Sequence, residues 1–205
     1  MQIRSGIAFA LLLLLAAAPG AGLAQSTHFI IEGEGGAGLT DTARVNVFGG
    51  ATLGYGGKFG GFPLRFYIVF GYSHSAADDR LSSSISYADR STSEDVLTFG
   101  PRIYIPVARN VRLFLQATGG FAWVSSDWQI NGVENYSAAE DAMLATELSG
   151  GVQARVAPWL SLGLGFQRLS FWGETQDATA AAFAGFFEED DSDQLRCLGM
   201  VALHF

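Results

Sequence analysis

The sequence predicts an all-β protein, namely an eight-stranded antiparallel up-and-down transmembrane β-barrel. Three observations support this prediction. Apolar and polar residues alternate along eight segments, the connections between these segments differ regularly in length, and the last segment ends on an aromatic residue, Phe205. Alternation with a period of two is the pattern of a β-strand, and a tilted strand of about 9–11 residues is long enough to cross a bilayer.

Each of the eight segments has one apolar face and one face that carries the charges. Their approximate limits are 28–38, 44–57, 63–75, 93–106, 110–126, 141–156, 159–172 and 194–205. In the third segment Phe66, Ile68 and Phe70 share one face, and Arg65 and Tyr67 share the other. An apolar outer face and a charged lumen are the reverse of a soluble barrel, so the alternation favours a membrane barrel over a soluble lipocalin-like carrier.

The connections indicate the orientation of the barrel. Residues 58–62, 107–110 and 157–158 are predicted short turns, and the other connections are 39–43, 76–92, 127–140 and 173–193, three of them long. Outer-membrane barrels have short periplasmic turns and long extracellular loops. An even number of strands places both ends of the barrel on the side of the short turns, which is therefore the predicted periplasmic side.

The first 24 residues have the features of a secretory signal peptide. Arg4 precedes an apolar run, and Gly22 and Ala24 form a small-x-small cleavage site. The run is about a dozen residues, which is shorter than the roughly 20 that a membrane helix needs. The sequence thus predicts export, with a signal peptide at 1–24 and one barrel domain at 25–205.

The predicted barrel resembles a known family. The alternating strands, glycine pairs in mid-strand such as Gly49-Gly50, and the terminal Leu203-His204-Phe205 resemble the small OmpA/OmpX-type barrels and the porin-like outer membrane β-barrel domain proteins. The resemblance implies the outer membrane of a Gram-negative cell, contact with outer-membrane lipid and lipopolysaccharide, and recognition of the last strand by the outer-membrane assembly machinery. Carried over to this chain, that assembly signal consists of Gly199, Val201, Leu203 and Phe205.

Charged residues are sorted by position along the predicted strands. Of the 20 acidic residues, only three are assigned to inward strand positions, and the others fall in or beside the extracellular connections. Because a buried ion must be paired, we expect a lumen network that plugs the barrel, with Arg102 near the layer of Glu32 and Glu34, and with Arg196 and Glu147 in a higher layer. Its predicted members are Glu32, Glu34, Arg65, Arg102, Arg112, Glu147, Arg155 and Arg196. A conducting pore is the alternative, although eight strands leave little free bore.

The fourth long connection is acidic and carries an apolar stretch. A possible cation contact is formed by Glu188, Glu189, Asp190, Asp191 and Asp193, but the cluster lacks the spacing and the turn glycine of a dedicated calcium loop. A solvated loop that bridges to lipopolysaccharide phosphates through divalent cations is the simpler interpretation. The apolar residues at 178–187 suggest a surface partner that binds loops two and four. No cofactor is predicted.

Function is less determined than fold. The favoured hypothesis is a structural or adhesion-like surface role; the alternatives are a small porin and a lipid A-modifying enzyme. Ser73 and Ser75 flank His74, so they point to the opposite face of the strand, and the His-x-Ser pair of the lipid A deacylases is absent. We therefore predict that the protein is not an enzyme. A net charge of −8 without a basic patch argues against nucleic acid as a partner, and the single Cys197 excludes an internal disulfide.

Overall fold

The computed structural model describes residues 27–40, 45–58, 63–82, 87–130, 134–139, 142–172 and 193–205. They form nine strands: β1 (Thr27–Thr40), β2 (Val45–Lys58), β3 (Arg65–Ser82), β4 (Tyr87–Pro106), β5 (Val111–Ile130), β6 (Glu134–Ala139), β7 (Met143–Ala157), β8 (Leu160–Trp172) and β9 (Asp193–His204). Among the described residues there is no helix with the length and hydropathy that a membrane crossing requires.

Eight of these strands close into an antiparallel up-and-down barrel. Their order is β4-β3-β2-β1-β9-β8-β7-β5, and pairing of β4 with β5 closes the ring. Strands β1 and β9 join the two ends of the described chain, because Phe29 and Phe205 exchange backbone hydrogen bonds of 3.1 and 3.0 Å. This closed barrel confirms the predicted fold class.

The two faces of the barrel have opposite chemistry. Large apolar side chains point outward and are exposed on every barrel strand, for example Phe99, Leu115, Leu164 and Val201. This outward apolar surface is called the apolar belt below. Facing inward are most of the buried polar and charged side chains together with two small apolar clusters. As the sequence predicted, the large apolar side chains of each strand therefore face mainly outward and the buried charged side chains face the lumen.

The two ends of the barrel differ in construction. The end that holds the connections near 58–65, 106–111 and 157–160 is called the turn end, and it also contains Phe205. The opposite end is called the loop end. The turn between β7 and β8 includes a register irregularity between Arg155 and Ala157, just before Pro158, whose missing N–H prevents regular pairing there.

At the loop end, two predicted long connections are largely strand, so the loop assignments at 76–92 and 127–140 were wrong in part. Strand β3 continues to Ser82, β4 begins at Tyr87, and β6 pairs with the extension of β5. Residues 76–82, 87–93, 125–130 and 134–139 thus form a four-stranded extension, called the surface sheet below. Residues 76–82 and 87–93 are mostly polar, so the apolar-polar alternation that identifies membrane strands does not continue into this hairpin.

Several predictions concern residues outside the described ranges. These are the signal peptide at 1–24, the apolar stretch at 178–187, and Glu188, Glu189, Asp190 and Asp191 of the acidic cluster. Of that cluster, Asp193 is described, and it begins β9.

Candidate functional site

A chain of hydrogen bonds crosses the lumen in the half that is nearer the turn end. Arg102 Nη1 donates to Glu32 Oε1 at 2.8 Å and to the Tyr104 hydroxyl at 3.0 Å, and Arg102 Nε donates to Gln116 Oε1 at 2.6 Å. Gln153 Nε2 donates to the other Glu32 oxygen at 2.5 Å. Four strands are joined in this way, and these five residues are called the lower network below.

A second glutamate lies next to the lower network. Glu147 accepts hydrogen bonds from Gln116 Nε2 at 2.6 Å, from Thr98 Oγ1 at 3.2 Å and from Ser149 Oγ at 3.2 Å. Gln116 therefore uses its carbonyl oxygen on Arg102 and its amide nitrogen on Glu147, and it links the Glu147 carboxylate to the lower network through Arg102. Its orientation is determined by both partners, since an amide offers one acceptor and one donor group.

A second network lies nearer the loop end. Arg196 Nη2 donates to Gln194 Oε1 at 2.8 Å, to Ser75 Oγ at 3.2 Å and to Glu94 Oε2 at 3.3 Å. Glu94 also accepts from Ser75 Oγ and from Gln194 Nε2, each at 2.6 Å, while Asn46 Nδ2 donates to Gln194 at 2.8 Å. These five residues are called the upper network below.

Glycine makes room for the upper network. A Cβ placed on Gly38 would lie 2.5 Å from Asn46 Oδ1 and 2.7 Å from Arg196 Cγ, which is closer than real Cβ contacts. The Arg196 guanidinium also stacks 4.7 Å from the centroid of the Phe48 ring. The long arginine thus occupies space that any residue larger than glycine at position 38 would take.

The structure brings together some of the predicted network residues and separates others. Glu32 and Arg102 are in contact, as expected from their layer, whereas Arg196 pairs with Glu94 rather than with Glu147. Glu34 faces the lumen, but among the described residues its carboxylate makes no hydrogen bond or ion pair. The remaining predicted members, Arg65, Arg112 and Arg155, lie at the turn end beyond the lower network.

The predicted network omitted Glu94 and the glutamines, although Gln116 and Gln153 are at inward positions of the sequence pattern. Glu94 has the same parity as Arg102 along β4, and Gln116 has the same parity as Arg112 along β5, so a strict alternation from one inward arginine places them in the lumen. Glu94 was instead counted with the second extracellular connection. Glutamine carries no charge, so a network predicted from charges alone did not include Gln116 and Gln153.

The outer face near the loop end carries a polar cluster. Asp95 Oδ1 accepts a hydrogen bond from the Tyr72 hydroxyl at 2.6 Å and lies 3.0 Å from His74 Nδ1. Ser73 and Ser75 point into the lumen, where both contact Arg196. His74 and its neighbouring serines point to opposite faces because neighbours on a strand do so, as the sequence predicted.

One further ion pair lies above the apolar belt. Arg168 Nη2 donates to Asp193 Oδ2 at 2.5 Å, and Ser170 donates to the other carboxylate oxygen. These hydrogen bonds, that of Arg168 first, hold the pKa of Asp193 below its usual range. Within the described ranges, no three His, Cys, Asp or Glu side chains are grouped so that they could hold a metal ion.

Comparisons with known proteins agree with the architecture. No protein-family profile matches the chain, and no curated protein matches it in sequence. Among solved structures, the chain is similar to Neisserial surface protein A, with a TM-score of 0.51 and 11% identity over 88% of this chain and 98% of that one. It is also similar to a major outer membrane protein from Thermus thermophilus, with a TM-score of 0.55 and 12% identity over 88% and 100% of the two chains. The fold is that of small outer-membrane barrels, which bears out the predicted resemblance.

Proposed function

We propose that the protein is an outer-membrane surface protein that recognises a partner through the surface sheet, while its lumen stays closed. The observation that carries this proposal is the four-stranded extension at the loop end. It continues β3 and β4 for seven further residue pairs, from Ala76 and Ser93 to Ser82 and Tyr87, or roughly 20 Å of strand. An ordered sheet on one side of the barrel offers a fixed surface rather than a variable loop.

The chemistry of the surface sheet supports exposure to water. Outward positions that are apolar in the belt are polar here, as at Asp78, Ser91 and Asp127. Ser91 Oγ donates to Asp78 at 2.8 Å across the hairpin, and Arg90 Nη2 lies 3.4 Å from Ser126 Oγ on β5. Such cross-strand pairs stabilise the extension without an apolar core.

The closed lumen argues against transport as the function. Arg102, Arg196, Tyr104 and Phe114 each expose 2% of their surface or less, and they occupy the bore at the levels of the lower and upper networks. We expect no steady conductance from the pure protein in a planar lipid bilayer. Steady, ion-selective conductance would instead favour the porin alternative.

Attachment of cells tests surface recognition directly. Ala77 and Thr92 are opposite each other, so a two-residue Asn-Gly turn can replace Asp78–Ser91 with little disturbance of the barrel below. Ser125 and Ala139 are also opposite each other, and the same turn can replace Ser126–Ala138. In a deletion strain of the source bacterium, these variants should insert and should fail to restore attachment to surfaces.

Two controls separate recognition from envelope support. The truncated and full-length proteins should give equal resistance to a large antibiotic that the outer membrane excludes, because the barrel is unchanged. Replacement of residues 177–191 by a Gly/Ser linker examines the fourth loop in the same assay. Unchanged attachment with both hairpins truncated would contradict the proposal, and a loss of antibiotic resistance in the deletion strain alone would favour a structural role.

The same proposal assigns the last strand to outer-membrane assembly. Gly199, Val201 and Phe205 point outward along β9, and Phe205 is exposed at the turn end. We expect Phe205→Ser to lower the amount of protein in the outer membrane and to raise the amount that is degraded in the periplasm. The matched change His204→Ser, at an inward position, should leave the amount inserted unchanged.

A lipid-modifying activity is the second candidate, and the outward cluster of His74, Asp95 and Tyr72 favours it. An aspartate on Nδ1 orients the imidazole and leaves Nε2 for a proton transfer at the membrane surface. Mass analysis of lipid A from cells with the wild-type gene, with His74→Gln, and with no gene tests this candidate. Identical lipid A in all three strains would exclude lipid A as a substrate.

A further inference from the structure

A basic cavity opens into the lumen at the turn end. It has a volume of about 90 Å³, and its lining includes Arg65, Arg109, Arg112, Arg155 and Tyr104. Arg65, Arg112 and Arg155 are on inward positions of three strands, whereas Arg109 is on the turn between β4 and β5. Four arginine side chains therefore line one small space, and those of Arg109 and Arg155 are also exposed to solvent.

These arginines lack a counterion in the described part of the protein. Among the described residues, Arg65, Arg109 and Arg155 make no side-chain hydrogen bond or ion pair. Arg112 donates from Nε and Nη2 to Gln153 Oε1, and its Nη2 lies 2.8 Å from His204 Nε2. Both partners of Arg112 are neutral, because an arginine can only donate and His204 Nε2 must then accept.

The barrel strands contain no Asp or Glu side chain towards this end. Asp and Glu are absent from residues 53–77, 96–126, 148–172 and 195–205. The Glu32 carboxylate, in the lower network, already uses both of its oxygens on Arg102 and Gln153. Arg65 and Arg155 lie close enough to Arg112 for their like charges to repel, so an anion in the cavity would relieve this repulsion.

We propose that the turn end binds a phosphate group in this cavity. Arginine binds tetrahedral oxyanions through paired N–H groups, and several guanidinium groups can share the charge of one phosphate. The cavity has room for a single phosphate group, since about 10–15 Å³ on this measure already holds one water molecule. Free phosphate in the periplasm and the headgroup phosphate of a lipid in the inner leaflet are the two sources of this chemistry.

Binding of inorganic phosphate to the refolded barrel in neutral detergent tests the site. Phosphate should raise the urea midpoint of the wild-type protein more than chloride at equal ionic strength. In Arg65→Gln/Arg155→Gln the affinity should fall by about tenfold or more, since two of four paired donors are lost. The matched control Arg90→Gln/Arg168→Gln removes two charges at the loop end and should respond to phosphate like the wild type.

A structural role for these arginines predicts a different result. In phosphate-free buffer of low ionic strength, the Arg65→Gln/Arg155→Gln variant should unfold at a urea concentration no lower than that of the wild type, because like-charge repulsion has been removed. A lower midpoint there would mean that the arginines support the fold and would count against the site. Arg109 is on an exposed turn, so Arg109→Gln should fold like the wild type. This second variant should also bind phosphate more weakly.

Nanodiscs distinguish the two sources. If phosphatidylglycerol in a phosphatidylcholine disc competes with inorganic phosphate, the ligand is a lipid headgroup; if affinity is the same with and without it, the ligand is soluble. Either result supports a phosphate site. Equal effects of phosphate and chloride on the wild type, or an equal phosphate response of the wild type and Arg65→Gln/Arg155→Gln, would overturn the proposal.

Discussion

The lower and upper networks both place an arginine against a glutamate in the lumen, but they support the carboxylate differently. In the lower network the Arg102–Glu32 pair is 2.8 Å long and its side chains are 2% and 0% exposed. In the upper network the Arg196–Glu94 pair is 3.3 Å long, with 0% and 11% exposed. Glu94 keeps two further hydrogen bonds of 2.6 Å, from Ser75 and Gln194, while Glu32 has only that of Gln153 besides its arginine among the described residues.

This difference indicates that the stability lost with an arginine depends on how many hydrogen-bond donors the carboxylate keeps. A buried charge without its partner is strongly destabilising, whereas a carboxylate that retains good donors is less affected. The lower network is therefore expected to hold the barrel closed, and the upper network to tolerate change near the loop end.

The largest effect is expected from Arg102→Met. Because Glu32 would then be fully buried with one remaining donor, the free energy of unfolding should fall by about 3–5 kcal/mol. Urea unfolding in lipid vesicles, followed by tryptophan fluorescence, measures the loss. Addition of Glu32→Leu should recover most of the lost stability, since an apolar pair replaces the ion pair. A double variant that is no more stable than Arg102→Met would contradict the role given to the Arg102–Glu32 pair.

The second effect concerns the space reserved for Arg196. Gly38→Ala should lower the free energy of unfolding by about 1–3 kcal/mol, because the new methyl group overlaps Arg196 and Asn46. Gly33→Ala, on the same strand, provides the control, since a Cβ there meets no atom within 4 Å. Equal melting of the two variants in a heat-modifiability gel would show that Gly38 is not required for packing.

A smaller effect is expected from Arg196→Met. Glu94 would keep its hydrogen bonds from Ser75 and Gln194, so the loss should be about 1–2 kcal/mol, comparable to that of a hydrogen bond to a charged group. The same urea experiment on Arg102→Met is the matched control. A loss as large as that of Arg102→Met would remove the distinction between the two networks.

The smallest effect lies outside the lumen, at the exposed Arg168–Asp193 pair. Arg168→Gln should raise the pKa of Asp193 toward its usual value, because the charged hydrogen bond that lowers it is lost. The pKa of Asp193 is lower in the folded protein than in the unfolded chain, so its ionised carboxylate stabilises the folded state at pH values above the unfolded pKa. This stabilisation is present at neutral pH and is lost as the pH falls through the pKa of the folded state. Carbon-13 titration of the carboxyl group measures the shift, and the change in stability should be about 0.2–1 kcal/mol. An unchanged pKa would mean that Arg168 does not pair with Asp193 in solution.

Prediction from sequence succeeded where the signal is local. The alternation along β3 and β9 correctly separated Arg65 and Arg196 from their apolar neighbours, and strand limits agreed to within a few residues in the belt. It failed above the belt, where Ser91 and Ser93 alternate with other polar residues and leave no amphipathic pattern.

The sequence by itself determined the number of membrane strands, the face on which most of the charges lie, and the concentration of acidic residues at the loop end. These follow from a period of two and from linear position. Only the tertiary structure decided that Arg196 meets Glu94, that Gln116 joins Arg102 to Glu147, and that four arginines surround one cavity. Contacts across the lumen depend on the stagger of all eight strands when the barrel closes, and no single strand carries that information.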